Sequence, residues 1–310
     1  MKQNPLGSTG ISVSAIGFGA SSLGGGVFGP VEEADAIAAV HAALACGITL
    51  IDVSPFYGDT RAESVLGKAL KDVSRDRFLL STKVGRYGDD VFDFSPARAR
   101  RSIEESLVRL GLDYVDLLHV HDVEYGDLSS IAEQTIPELH RIAASGKARW
   151  IGVTGYPLAA LHTLTRTASV DCVLSYNHCA LNDTTLLDRL PEWTRSGIGV
   201  INAGAFSQGL LVGTVLPLWH PAPPNVRKAC ADAVNFLRCR GADPATLAIQ
   251  YASTQPGIAS TLIGVINAHQ VEAAVRAAET PIDDELLREA LGILEPIHNH
   301  TWKTGRAENN

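Results

Sequence analysis

The chain has no excess of positive charge. Its 26 lysines and arginines face 34 aspartates and glutamates, for a formal net charge of -8. An acidic chain repels phosphate backbones, so nucleic acid is not an expected partner. No block of like charge marks a tail or a membrane-surface helix. No apolar run approaches the ~20 residues that cross a bilayer, so no membrane partner is expected. The opening Met1-Lys2-Gln3-Asn4-Pro5-Leu6-Gly7 lacks the apolar core of a signal peptide. Cysteine is scarce: Cys46, Cys172, Cys179, Cys230 and Cys239 are odd in number and contain no C-x-x-C pair. Neither a zinc site nor a disulfide framework is suggested, no metal is expected, and a reducing cytoplasm fits best. The sequons at Asn182 and Asn299 are then chance matches.

What is present is alternation. Eight short apolar runs occur at Val13–Phe18, Thr49–Asp52, Phe78–Thr82, Val115–His119, Trp150–Val153, Asp171–Leu174, Gly199–Ile201 and Ser260–Ile263. Between and after them lie segments of helical period: Val31–Cys46, Arg61–Leu70, Pro96–Leu110, Ser129–Ser145, Pro157–Ala168, Thr184–Ser196, Ala242–Ser253 and Ala268–Ala278. Ser95-Pro96 and Asp243-Pro244 each place a capping side chain before a first-turn proline. Gly47, Gly111, Gly146 and Gly197 sit where helices should stop.

Eight strand-then-helix units predict an α/β fold, a (β/α)8 TIM barrel, which typically needs ~250 residues. The surplus fits a short lid at residues 1–10 over the barrel bottom, an insertion at 204–241 after the seventh strand, and a final helix and tail at 283–310. A single domain spanning 1–310 is expected. The rival is an open doubly wound sheet, which usually carries G-x-G-x-x-G after its first strand. Here that strand ends Gly17-Phe18-Gly19-Ala20-Ser21-Ser22, without the third glycine.

In such a barrel, chemistry sits at the C-terminal ends of the strands. Asp52 ends the second run, with Tyr57 five residues on; Lys83 follows the third; His119 and His121 lie at the end of the fourth. An acid, a phenol, an amine and an imidazole therefore converge on one mouth. A phenol at its ordinary pKa of ~10 exchanges protons slowly near neutrality, and an adjacent ammonium lowers that value. Lys83 can supply the ammonium, and Asp52 can hold it charged. A histidine can hydrogen-bond the substrate oxygen or relay a proton. Such a site moves a proton on or off a carbonyl oxygen while a cofactor carries the hydride.

At this point the chain resembles the aldo-keto reductases across almost its full length. The matching motifs are Gly17-Phe18-Gly19, Asp52-Val53-Ser54-Pro55-Phe56-Tyr57-Gly58, Ser81-Thr82-Lys83, Val115–Asp122 and Ala148–Val153, in that order. The resemblance implies a catalytic tetrad of Asp52, Tyr57, Lys83 and His121, the histidine chosen over His119 by its place after Asp-Leu-x-x-x. Within the family the chain is most similar to the L-galactose dehydrogenases and the bacterial L-fucose and D-threo-aldose 1-dehydrogenases. The residues carrying this are Gly19–Gly24, Val27–Val31, His119–Glu124, Ser175–His178 and Ile293–Ile297. That implies oxidation of an aldose at its anomeric carbon to the lactone, with a nicotinamide cofactor.

The resemblance implies cofactor contacts at Gly19, Asp52, Thr154, Ser175, Ala203, Phe206, Ser207, Gly209, Leu210, Gly264, Ile266 and Gln270. Thr154-Gly155 stands where the family often has Ser-Asn, and Val173 where it usually has glutamine. Relatives that need NADPH usually place Lys or Arg near Ile266 to pair with the 2'-phosphate. Val265 and Ile266 cannot do so, and NAD is expected over NADP, although Arg276 is near in sequence. Substrate contacts are expected at Tyr57, His121, Asp122, Asn177 and Trp302. His119 reads more readily as structural. The alternatives are an NADPH-dependent reductase of aldehydes or ketones on the same tetrad, and a non-catalytic cofactor-sensing subunit, against which the complete tetrad argues. A monomer or homodimer acting on a small sugar is expected.

Overall fold

A computed structural model of the chain describes residues 1–25, 31–216 and 220–310. Eight parallel strands close into a barrel: β3 (Ile16–Gly19), β4 (Leu50–Asp52), β5 (Leu79–Val84), β6 (Val115–Val120), β7 (Ala148–Gly155), β8 (Cys172–Tyr176), β9 (Gly199–Ala203) and β10 (Ser260–Gly264). Each pairs with the next in sequence, and β10 returns to β3 with Leu262 opposite Gly17. The expected TIM barrel is the observed fold. Part of the 27–31 motif, residues 27–30, lies outside the described residues, as does Pro217 of the insertion.

The first apolar run holds two strands. Gln3–Pro5 (β1) and Ser12–Ser14 (β2) form an antiparallel hairpin, and the chain then enters β3. Val13 and Ile16 are both fully buried, one under the barrel floor and one in the wall, so the apolar run hides the change of sheet. Leu6 packs with Val13, Leu50, Leu117 and Ile201 at the base of the interior, where the lid was expected.

Two expected helices are broken by prolines. In 129–145, Pro137 has no N–H to return to the preceding turn, and Ile131–Thr135 widens into a π-turn before helix Ile136–Ala144. Pro191 lies in the first turn of helix Leu190–Arg195 and separates it from a 3-10 turn at Thr185–Asp188. Residues 204–241 contribute helix Pro224–Cys239, which packs against helix Asp284–Leu294 around Val226, Leu237, Ala290 and Leu294. The insertion and the last helix thus share a second apolar core.

Side chains alternate along each strand. The parity that sends Leu50, Leu117, Cys172, Leu174 and Ile201 into the barrel lumen also sends Asp52, Ser81, Lys83 and His119 there. Register completes the arrangement: Asp52 lies opposite Ser81, and Lys83 opposite His119.

Candidate active site

Four side chains meet at the C-terminal mouth. Asp52 closes β4, Lys83 lies in β5, and His121 follows β6. Tyr57 is carried by the turn after β4, which Tyr57 N–H to Ser54 O and Thr60 N–H to Pro55 O hold closed. Gly58 takes φ +59°, and a Cβ there would stand 2.5 Å from the Gly24 backbone. This turn therefore seats directly on the 3-10 segment after β3, a contact that only glycine permits.

Lys83 is buried and donates three hydrogen bonds: to Asp52 Oδ2 at 2.6 Å, to Val53 O at 2.9 Å and to Tyr57 OH at 3.2 Å. These use all of its N–H donors. The ammonium has no acceptor to offer, so the Tyr57 hydroxyl hydrogen points away from it. Burial alone would lower the Lys83 pKa, but Asp52 and Tyr57 more than offset this and hold it above its ordinary value. Burial pushes the Tyr57 phenol up, and the Lys83 ammonium offsets only part of that rise, with Asp52 adding to it. The expectation of a net softened phenol is therefore corrected. The low-polarity surroundings penalise phenolate by more than the ammonium favours it.

His121 is 5% exposed, with its ring 5.8 Å from that of Tyr57 at 88°. Burial lowers its pKa to about 3, with Lys83 and Arg86 adding to the shift against the opposing Asp122. The imidazole is neutral at physiological pH. Ser54 Oγ lies 3.0 Å from Nδ1 and also accepts from Phe56 N–H. With the Ser54 hydroxyl donating to Nδ1, the ring proton sits on Nε2, 3.7 Å from Asp122 Oδ1.

Beside this group lies a polar cluster. Arg86 donates to Asp122 Oδ2 at 2.6 Å, with its guanidinium 3.8 Å over the Phe56 ring. Asp122 takes a left-handed backbone (φ 52°), with Oδ1 3.7 Å from His121 Nε2 and 3.4 Å from the Tyr176 hydroxyl. The same hydroxyl lies 3.4 Å from Glu124 Oε1, which also accepts from Tyr156 N–H and Thr304 Oγ1. Burial and the Asp122 charge raise Glu124 to about 8. Arg86, Glu124 and Tyr176 were not singled out from sequence. The acidic pair Asp122 and Glu124 just past a strand end was the available clue.

Of the expected substrate contacts, Tyr57, His121 and Asp122 lie together. Trp302 stacks on Tyr156 at 5.4 Å and 15°, forming a wall from the C-terminal segment. Asn177 is buried in a left-handed conformation, and its side-chain oxygen and nitrogen have no hydrogen-bond partner among the described residues. Of the expected cofactor contacts, Gly19 lies between Asp52 and Gly264 at the barrel seam. Thr154 and Ser175 are buried near the ends of β7 and β8, and Ala203 ends β9. Ser175 Oγ and Ser207 Oγ are buried without a hydrogen-bond partner among the described residues, as is Asn202 Oδ1, which was not expected. Phe206 and Gly209 flank Ser207 in the loop after β9. Leu210 follows them, its side chain packed into the second core with Leu211 and Val226. Ile266 N–H donates to Gln270 Oε1 at 2.9 Å, and Asn267 caps the next helix at Gln270 N.

Comparison with known proteins gives four findings. The profile of the Aldo/keto reductase family matches residues 15–294. The chain is 47% identical to L-galactose dehydrogenase of Arabidopsis thaliana over 313 residues, covering 98% of each chain. It is 31% identical to D-threo-aldose 1-dehydrogenase of Pseudomonas sp, over 65% of this chain and 68% of that protein. A solved aldo-keto reductase of Bacillus halodurans, 24% identical, superposes with a TM-score of 0.79 over 99% of each chain.

Proposed function

From the premise that this chain belongs to the aldo/keto reductase family, we propose that it oxidises an aldose of the L-galactose or L-fucose type at the anomeric carbon, yielding the lactone. The observation that carries this is Lys83, held between Asp52 and Tyr57 at the cleft that His121 also faces. The 47% identity to an L-galactose dehydrogenase along the whole chain supports the substrate class. So does the polar cluster of Arg86, Asp122 and Tyr176, which suits a polyhydroxylated molecule.

The catalytic residues are Tyr57, Lys83, Asp52 and His121. The anomeric hydroxyl lies against Tyr57 OH and His121 Nε2. The His121 N–H donates to the anomeric oxygen and orients it. Tyr57, ionised with Lys83 donating to its oxygen, accepts the hydroxyl proton. The bound nicotinamide supplies the acceptor for the hydride leaving the anomeric carbon. General acid-base help of this kind gives ~10²–10⁴-fold, and positioning contributes as much or more.

The unpartnered buried atoms of Ser175, Asn177, Asn202 and Ser207 suit the amide and phosphate groups of a dinucleotide. Gly19, Thr154, Ala203, Phe206, Gly209 and Gly264 complete that wall through their places at strand ends and in the loop after β9. Ile266, tied by Gln270, places an apolar residue where a 2'-phosphate would need a cation. Arg276 lies about 12 Å along its helix from Ala268, at ~1.5 Å per residue, and faces Glu272 at 3.7 Å. NAD is therefore the preferred cofactor. The acceptance test is reduction of NAD by L-galactose, L-fucose and other aldoses, followed by absorbance. Silence across a broad sugar panel from folded, cofactor-binding protein rejects the proposal.

One observation favours a second reading. The raised phenol of Tyr57 stays protonated at neutral pH and is poised to donate. The same residues then reduce an aldehyde or ketone, with Tyr57 O–H and His121 Nε2–H both donating to the carbonyl oxygen. Rates in both directions, measured with each cofactor, separate the two.

A further inference from the structure

The barrel lumen below the tetrad holds a second imidazole. His119 is completely buried, opposite Lys83 in register. Its Nδ1 lies 3.1 Å from Ser81 Oγ and its Nε2 3.3 Å from Cys172 Sγ. Ser81 Oγ in turn lies 2.7 Å from Asp52 Oδ1, on the carboxylate oxygen that Lys83 does not use. Room for the ring comes from Gly152, where a Cβ would stand 2.7 Å from both His119 Cδ2 and Cys172 Sγ. Four residues from β4, β5, β6 and β8 thus make one connected line ending at Asp52, with Gly152 of β7 giving it passage.

The line has a single consistent direction. A carboxylate paired with an ammonium only accepts, so Ser81 gives its one hydrogen to Asp52. The Ser81 oxygen can then receive only from His119, which places the imidazole hydrogen on Nδ1. Nε2 is left as a lone pair and accepts the Cys172 thiol hydrogen. Burial keeps His119 and Cys172 uncharged. It lowers the His119 pKa to about 3, with Lys83 and His121 contributing, and raises the Cys172 thiol. Every dipole in the line points its positive end at Asp52.

We propose that His119 is a positioning residue, whose Nδ1–H acts through the Ser81 hydroxyl to hold Asp52 as an oriented carboxylate and so fix Lys83 against Tyr57. The inference rests on the reading of those three as the catalytic centre. A neutral donor chain stabilises the carboxylate without adding a second cation that would compete with Lys83. Lys83, Tyr57, His119 and Cys172 face Asp52 directly or through Ser81, with His121, Asp122 and Arg86 beyond them. Among these, Ser81 alone gives Asp52 Oδ1 a hydrogen, and His119 gives its own to Ser81.

The test has two arms. In the first, the protein carries 15N-labelled histidine, and the His119 signal is identified by its loss in His119→Asn. The neutral Nδ1–H form is expected from pH 5 to pH 8, and an Nε2–H or charged ring overturns the inference. In the second, the pH profile of kcat/KM is compared among wild type, Ser81→Ala, His119→Asn and His119→Gln, with folding checked by circular dichroism. Asparagine places its amide N–H where Nδ1 stands, whereas glutamine reaches only the Nε2 position. A carboxylate that loses a donor takes up protons more readily, by roughly one pH unit for a hydrogen bond to a charged group. The acid limb should therefore move up by about one pH unit in Ser81→Ala, move the same way by less in His119→Gln, where Ser81 still donates, and return toward wild type in His119→Asn. Equal limbs in both His119 variants would assign the ring to packing alone and sink the proposal. If no substrate is turned over, the functional reading fails, while the labelled imidazole still decides this one.

Discussion

Ser54 Oγ sits 3.0 Å from Nδ1 of His121, and a hydroxyl that donates there keeps the ring proton on Nε2. Ser54→Ala removes the only described donor to Nδ1 and frees the ring to take either tautomer. A net hydrogen bond contributes ~0.5–1.5 kcal/mol, so kcat/KM should fall by up to about tenfold while the melting temperature barely moves. Steady-state kinetics beside thermal melts check this, and an unchanged kcat/KM removes Ser54 from the account.

Replacing Tyr57 by Phe deletes the proton carrier and leaves the ring packing in place. Turnover should drop by ~10²–10⁴-fold, with cofactor affinity retained in a fluorescence titration. A variant that keeps more than a tenth of wild-type activity would show that another group handles the proton.

Lys83→Met leaves Asp52 buried without its cation. Removing one partner of a buried ion pair costs about 3–5 kcal/mol, and chemical denaturation should show a loss in that range. Adding Asp52→Leu should recover part of that stability, but none of the activity.

The Tyr57 phenol is held above its ordinary value by burial. Phenolate is the base for oxidation, and its fraction grows tenfold per pH unit below the pKa. The oxidation rate should therefore keep climbing through the alkaline range, and reduction should stay level and then decline. An oxidation profile that is flat above neutrality contradicts this.

Glu124 offers a stability test with a defined sign. Its folded pKa is raised to about 8 by burial and by Asp122, against ~4.3 for an unperturbed glutamate. The folded state binds the extra proton, so this group's contribution is present below the unfolded value and is lost as pH rises through about 8. Glu124→Gln should flatten the fall in melting temperature across that window. Parallel curves for the two proteins would locate the carboxyl's proton elsewhere.

Much of this architecture was legible because period-two alternation does two jobs at once. The spacing that buries Leu50 turns Asp52 inward, and the spacing from Ser81 turns Lys83 inward, so chemistry and core announce themselves in one pattern. Tyr57 lies in a turn and has no such periodicity; its place depended on its motif. The Arg86–Asp122 pair was hidden because its members stand at the ends of separate strands, 36 residues apart. Nothing local in either segment names the other. The break between β2 and β3 was concealed for the opposite reason, since apolar burial on both sides of Ala15 erased the boundary. Leu210 matched a family loop, yet the partner that covers it, helix Pro224–Cys239, belongs to an insertion whose fold no motif described.

The barrel seam has a consequence in time. Gly19 is held between Asp52, early in the chain, and Gly264, near its far end. Contacts so distant in sequence form slowly, because the intervening chain must first be ordered. Strand β3, on which the Asp52 strand leans, gains its second lateral neighbour only when β10 docks. During refolding, helical signal should return first, and turnover should lag until the ring has shut.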